Sequence, residues 1–396
     1  MIKISKNSFR KNGISVPFFI NGRYMLLYIT VAVVTILIAG LVKPLPNPAN
    51  SQIKLPGEIT RRQMLNLAGL LFIFTILFVV SAIRLNVGND YTRYVEFMHL
   101  IVHNAYVPTE MGFNGVVRII YGLSGFENYL LVFAFFSFTT IAVFLWSIYR
   151  DSENFGLSFF LFMSFGLYFQ SFSTVRYYLA LAIALFAIPF VLKKKWVPFI
   201  LLILLGATFH KSILIVIPLY FLASLKWKKL PLIAAGLFCT TFLFLQDFYL
   251  RLLVFVYPTY RDTEYLEGGT SIINIIRCGG ILIFSLIYYR EAIKDNDRNR
   301  FYFYCNLAAF ALYTFGSFIP VISRIGFYLT VTHIFFIPAL LNRIKDKKMS
   351  HIFTALIIAA GILYLAMYLI KAQDAGVRLI PYQTFLFHEM SFQWAY

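Results

Sequence analysis

The chain has 396 residues, of which 60% are hydrophobic and 13% charged, with a formal net charge of +18. Apolar runs of about 18–20 residues recur from one end to the other, each long enough to cross ~30 Å of hydrocarbon as a helix, so an integral membrane bundle is expected. The gaps between them leave no room for a soluble domain of ~100 residues, no short alternating segments suggest a β-barrel, and the basic residues fall in short clusters between apolar runs, a pattern of membrane topology and anionic-lipid contact rather than of nucleic-acid binding.

The basic N-terminal tail, residues 1–23, leads into an apolar run with no small-residue cleavage site, which reads as a retained first span. Predicted spans then follow at 24–42, 64–83, 128–149, 155–170, 176–192, 197–222, 230–246, 271–289, 301–319, 325–341 and 350–370. They make residues 24–370 one transmembrane domain of about 11–12 helices and leave 371–396 as a C-terminal tail. The longer gaps are 43–63, 84–127 and 247–270. The 44 Phe and 26 Tyr suit lipid-facing and interfacial surface. Cys239, Cys278 and Cys305 lie in or beside apolar segments without metal-site spacing, and no structural disulfide or metal site is expected.

Segment 197–222 carries a polar break, Gly206-Ala-Thr-Phe-His210-Lys211-Ser212, between the clusters Lys193-Lys194-Lys195 and Lys226, Lys228, Lys229. A single crossing would separate these clusters. A hairpin of two short helices, each ~12 residues or ~18 Å long, keeps both on one side. With that hairpin, the larger share of the 35 Lys and Arg gathers on one face, which the positive-inside rule makes cytoplasmic. The N-terminal tail, with Lys3, Lys6, Arg10, Lys11 and Arg23, conflicts with this assignment and is outvoted by the later loops.

The opposite, outer face collects the residues with chemical potential. Ser173 or Thr174 can cap a helix that opens with Arg176. An arginine there opposes the helix dipole unless an anion arrives, although a snorkelling interfacial arginine fits equally well. The loop after the second span holds Asp90, Tyr91 and Tyr94, and Glu110-Met-Gly112-Phe113 follows; simple solvation is the ordinary state of such loop acids. His210, at the polar break, is either a satisfied structural histidine or a general base. Arg277 lies inside a predicted span, where insertion costs ~2.5–3.5 kcal/mol, and so is expected to face a wet cavity or a partner. Arg324 repeats the setting of Arg176 at the start of another span. Several arginines on one face suit a diphosphate, which bidentate contacts would satisfy. Tyr257, Tyr260 and Arg261 join aromatic and polar groups in the loop before Arg277, a combination that suits sugar rings, and Arg378 and Tyr382 in the tail add further contacts. The pair Asp295 and Asp297 reads as a solvated loop rather than a nucleotide-sugar metal motif.

In order, Val87-Gly-Asn-Asp90-Tyr91, Glu110-Met-Gly112-Phe113, Arg176 with Ala180, Phe209-His210-Lys-Ser212, Gly268-Gly269 with Asn274-Ile-Ile-Arg277, Arg324 with Tyr328, and Pro381-Tyr382 resemble the EpsG branch of Wzy-type exopolysaccharide and O-antigen polymerases. The resemblance runs from about residue 64 to the C-terminus. The family often has Gln directly after the arginine of the fifth span, where this chain has Tyr177.

The resemblance implies a GT-C-like bundle with its site on the outer face of the bacterial inner membrane. It also implies metal-independent glycosyl transfer without a cofactor. Undecaprenyl-diphosphate-linked oligosaccharide repeats would be polymerised into exopolysaccharide, capsule or O-antigen, with a chain-length co-polymerase as a possible partner. On that basis Arg176, Arg277 and Arg324 are expected at the diphosphate, and His210 is the candidate base. Asp90 and Glu110 would position the acceptor or the arginines, or one of them would be the base instead. Competing readings are a single-transfer glycosyltransferase or ligase with a lipid-linked donor, a membrane O-acyltransferase, and a flippase; the last would line a path through both leaflets.

Overall fold

The computed structural model describes residues 18–43, 60–256, 272–319, 322–374 and 376–389, with the side chains of 18–24 and Leu253 left aside. In chain order the helices are α1 (Phe18–Leu41), α2 (Arg61–Ala82), α3 (Tyr91–Val102), α4 (Met111–Ser124), α5 (Tyr129–Asp151), α6 (Phe155–Ser164), α7 (Leu167–Gln170), α8 (Val175–Leu192) and α9 (Trp196–Ala207). A 3-10 turn (Lys211–Ile215) leads into α10 (Val216–Ser224), α11 (Lys229–Phe244), α12 (Gln246–Val256) and α13 (Ile272–Ile287). A π-turn (Tyr289–Ile293) precedes α14 (Asp297–Phe315), α15 (Ile322–Thr330), α16 (His333–Leu341) and α17 (Lys347–Ile370). No named strand occurs among the described residues, so the all-α polytopic membrane architecture stands.

The count of full spans is lower than the sequence suggests. Among the described residues five segments are long and apolar enough to cross a membrane: α2, α5, α8, Ile322–Leu341 and Lys347–Gln373. The bent pair α11–α12, turned by 92° at Leu245, is a sixth if taken together. Several of the other predicted spans are shorter or interrupted, among them α6, α9 and α13. Segment 155–170 breaks at Gly166, which sits at φ +71° before α7, a conformation that glycine adopts without a Cβ penalty. Helix α14 mixes its apolar residues with the buried polar residues Asn299 and Asn306, which lowers its mean hydropathy.

The hairpin at 197–222 is present. Trp196 packs on Phe221 with ring centroids 5.5 Å apart, and Phe199 on Tyr220 at 6.3 Å, so α9 and α10 run antiparallel and both lysine clusters emerge at the same end. At that end Lys226 lies 3.7 Å from Asp297, which also pairs with Arg300. Glu153 pairs with Arg298 and lies 3.8 Å from Arg343. The basic end inferred from the sequence is therefore one physical surface. Asp297 is part of its ion pairing, as expected of a charged loop.

Gap 84–127, taken as a loop, holds α3 and α4. Buried positions recur at Tyr91, Tyr94, Val95, Met98 and Ile101, and at Phe113, Val117, Ile120 and Tyr121, the i, i+3, i+4 spacing of amphipathic helices. Likewise α12 occupies part of the predicted gap 247–270. The C-terminal segment is not a loose tail over its described part. Leu379 and Ile380 are buried, Tyr28 donates to Leu379 O at 2.6 Å, and Leu85 N donates to Gln383 O at 2.8 Å. It thus locks α1 to the turn after α2.

Candidate functional site

The end opposite the lysine clusters brings together the start of α3, the start of α4, the start of α8, the α9–α10 turn and the start of α15. Two glycines permit the close approach. Gly88 adopts φ +103° and abuts the backbone of Phe172, where a Cβ would collide with the carbonyl. Gly112 donates its N–H to Thr208 O at 2.7 Å, and a Cβ there would meet the same residue's backbone. The first joins the α2–α3 turn to the segment before α8. The second joins α4 to the α9–α10 turn.

Glu110 stands at the N-cap of α4, but its side chain does not cap that helix. One carboxylate oxygen pairs with Arg176, and the other accepts from Lys211 N at 3.1 Å. The Arg176 guanidinium lies 5.5 Å from the centroid of Tyr94 and 5.4 Å from that of Phe113. Rings on its faces and a carboxylate at its edge hold it in one orientation. Its side chain is only 12% exposed, and its Nε is buried with no partner among the described residues. The expected cap from Ser173 or Thr174 is not made: Thr174 is the N-cap without a side-chain bond, while Ser173 Oγ accepts from Asn89 N and donates to Val377 O.

His210 closes the α9–α10 turn. Its Nδ1 accepts from Ser212 N at 3.3 Å and lies 2.7 Å from Ser212 Oγ, which is itself 3.0 Å from the Tyr328 hydroxyl. Burial, then the nearby charges of Arg176, Arg324 and Lys211, depress its pKa to about 3, so the ring is neutral at physiological pH. Because a backbone N–H can only donate, Nδ1 carries the lone pair and the ring proton sits on Nε2. His210 therefore offers a hydrogen-bond donor rather than a basic nitrogen.

Asp90 is the complementary case. Burial raises its carboxyl pKa, while Arg324, Arg93 and Arg176, in that order, oppose the rise. The Asp90 carboxylate makes no hydrogen bond within the described residues. Neither does the Arg324 guanidinium, although Arg324 O accepts from Tyr177 at 2.6 Å. Arg324 lines a cavity of about 230 Å³ together with Asn89, Ser173, Thr174, Tyr177 and Tyr368. The side-chain oxygen of Asn89 is buried there without a partner among the described residues. A cation and an unsatisfied amide oxygen thus share this cavity, and Asp90, the next residue after Asn89, lies within electrostatic reach of the cation.

Arg277 is not part of this group. Its guanidinium bonds Asn274 Oδ1 at 3.2 Å and lies 4.9 Å from the Phe165 centroid and 5.4 Å from that of Tyr364. It does not line the cavity, whose wall includes Gln170, which donates to Phe165 O at 3.1 Å and accepts from Tyr178 at 2.6 Å. The expected three-arginine array is therefore two arginines at the site and a third outside it, whose partners among the described residues are Asn274 and two aromatic rings. Tyr91 is wholly buried, stacked on Phe133, with its hydroxyl donating to Arg84 O at 3.3 Å. Tyr382 donates to Val80 O at 2.7 Å and packs edge-on to Tyr28. Both are struts rather than sugar platforms. Arg378 donates to Asn86 Oδ1 at 2.8 Å and so holds the C-terminal segment to the α2–α3 turn. Tyr94 does belong to the site, beneath Arg176. Tyr257, Tyr260 and Arg261, like Gly268 and Gly269, lie outside the described residues.

Sequence reasoning passed over Arg93, Ser212 and Tyr328 as site residues, and also His99, His103 and Glu127, which come together at the far end of α3. For Tyr328 a signal was present: it falls four residues after Arg324, hence on the same helical face. The Tyr177 departure has a role here, since its hydroxyl ties α8 to α15 and its ring edge meets His210 with centroids 5.4 Å apart.

No curated protein and no solved structure matches the chain. The family model described as the EpsG family matches residues 68–384, the stretch that contains every element of the site just described, and the chain belongs to that family.

Proposed function

We propose that this protein polymerises undecaprenyl-diphosphate-linked oligosaccharide repeats at the outer face of the bacterial inner membrane. The reading rests on one observation above the others: Asp90 and Arg324, both without hydrogen-bond partners among the described residues, converge with a pre-oriented Arg176 at the end of the bundle away from the lysine clusters.

In this reading the donor is a growing glycan on its lipid diphosphate, and the acceptor is the non-reducing-end hydroxyl of a second lipid-linked repeat. The acceptor oxygen bonds to the donor's anomeric carbon as the bond from that carbon to the diphosphate oxygen breaks. The acceptor proton goes to a carboxylate, and the lipid diphosphate leaves with an added negative charge. Arg324 and Arg176 stabilise that charge, with the His210 Nε2–H as a further donor; such preorganised donors act where charge develops. Asp90 is favoured over His210 and Glu110 as the base. The Nδ1 lone pair of His210 is engaged by Ser212, and the Glu110 oxygens are engaged by Arg176 and Lys211 N. Of the three, Asp90 alone has both an open carboxylate and a pKa raised by burial. Arg277, which does not line the cavity, is not assigned to the diphosphate.

The test is a gel ladder of surface glycan from cells lacking the gene, complemented with the wild type or with Arg324→Ala. Collapse of long polymer to single repeats, restored by the wild type alone, supports polymerisation through this site. Loss of only an acyl group or one side-branch sugar would make the protein a modifying transferase. Accumulation of lipid-linked repeats on the cytoplasmic leaflet would make it a flippase.

A further inference from the structure

At the end of α3 remote from Asp90, three side chains form a second polar cluster. His99 and His103 are four residues apart and so share one helical face. Glu127, from the connection between α4 and α5, reaches that face. His99 Nδ1 lies 2.9 Å from both carboxylate oxygens of Glu127, and His103 Nε2 lies 3.3 Å from Oε1. All three ligand atoms fall within 4.8 Å of one another. Nine residues of helix separate Asp90 from His99, roughly 14 Å along the axis, so this cluster is distinct from the arginine site.

We propose that His99, His103 and Glu127 bind a divalent transition-metal ion, with zinc the best match, and that the ion clamps α3 to the α4–α5 connection. Two imidazoles and one carboxylate are a donor set suited to zinc. Donor separations of 2.9–3.3 Å approach the ~3.3 Å edge of a tetrahedron with ~2.0 Å metal–ligand bonds. The side chains of His99, Glu127 and His103 are 17%, 35% and 60% exposed, so water can reach the ion and fill the fourth position. Two imidazole ligands and one carboxylate would leave a net charge of +1 on the complex, so one carboxylate does not overneutralise the ion. The helices it would join carry Asp90 and Tyr94 at one end of α3 and Glu110 at the start of α4. A bound ion would therefore stiffen the pair of helices that frames the arginine site, without touching the reacting groups.

The experiment uses the full-length protein, purified with a tag free of histidine clusters, equilibrated with Zn²⁺ and freed of unbound metal. The expected result is about one zinc per chain in the wild type by elemental analysis. His103→Gln and Glu127→Gln should each weaken binding about tenfold or more. Because His103 is the most exposed of the three, its substitution leaves the fold least disturbed. Thermal unfolding gives a second readout: Zn²⁺ should raise the wild-type Tm and leave that of His103→Gln unchanged. With Co²⁺ in place of zinc, the visible spectrum should show nitrogen and oxygen ligation without thiolate charge transfer. Sub-stoichiometric zinc in the wild type, equal zinc in both variants, or a thiolate band pointing to the cysteines would each overturn the proposal.

Discussion

At the lysine-rich end of the bundle, the half-buried acids Asp151 and Glu153 are paired within the protein. Glu153 pairs with Arg298, accepts from Asn342 at 3.1 Å and has Arg343 nearby, and Asp151 pairs with Arg150. At the opposite end, Asp90 and Arg324 make no side-chain hydrogen bonds among the described residues, although Arg324 acts on Asp90 more strongly than either other arginine. Similar residue types thus occur in two states, one closed on itself and one with bonding capacity left for a ligand. The open state costs stability, since desolvated charges without full pairing are unfavourable. The closed pairs tie loops together, whereas the open groups are the ones the proposed function assigns to substrate.

The largest effect that would test this contrast is at Asp90. Asp90→Asn should lower the polymerisation rate by about 10²–10⁴-fold, the range for loss of a general base, with the variant still inserted and folded by size-exclusion chromatography. Arg324→Ala follows, with a loss of about 10²–10³-fold in single-turnover transfer, as for removal of a donor to a developing oxyanion. Should Arg324→Ala weaken substrate binding alone and leave the transfer step intact, charge stabilisation at the leaving group is not its role.

A pH–rate profile sharpens the assignment of the base. With Asp90 as the proposed base, activity should fall as pH drops through its carboxyl pKa, which burial raises, so the acid limb should sit above the ordinary carboxylate value. His210, with a pKa near 3, stays neutral throughout, so His210→Gln should lower the rate by about tenfold while leaving the limb in place. Movement of the limb in that variant would return the base to His210. The smallest effect is expected at the closed end. Glu153→Gln should change activity by less than about threefold and cost no more than about 1 kcal/mol of stability, because partly exposed pairs contribute modestly; thermal unfolding in detergent reads the second quantity.

Much of this architecture is legible in the chain itself, and the parts that are not have physical reasons. Long apolar runs mark α2, α5, α8 and α17, and the two lysine clusters reveal the α9–α10 hairpin because a charged loop is costly to translocate. Interruptions such as Gly166 are harder to read, since one glycine inside an apolar run looks like a tolerated residue until its φ is known. The amphipathic α3 and α4 escape a search for long apolar runs because their signal is periodic. Arg176 and Arg324 are recognisable by their helix-start positions, while Glu110 shows only as a loop acid within a family motif. Tyr91 and Tyr382 mislead because their hydroxyls are satisfied by carbonyls that only the folded chain brings near; Val80 is 302 residues from Tyr382. Arg277 misleads similarly. Its partners among the described residues are Asn274, Phe165 and Tyr364, and a search for an acid passes over an amide and aromatic rings. The His99, His103 and Glu127 cluster joins a helix to a later loop, so only half of it, the i, i+4 histidine pair, is visible locally.

The most direct measurement reconstitutes the purified protein in liposomes with a polyprenyl-diphosphate-linked oligosaccharide and resolves the products by size. The wild type and Glu153→Gln should both build a ladder of repeats with release of lipid diphosphate, while Asp90→Asn should leave single repeats. A ladder from Asp90→Asn equal to that of the wild type, or no ladder from any form despite intact folding, would contradict the assignment of polymerisation to the open end of the bundle.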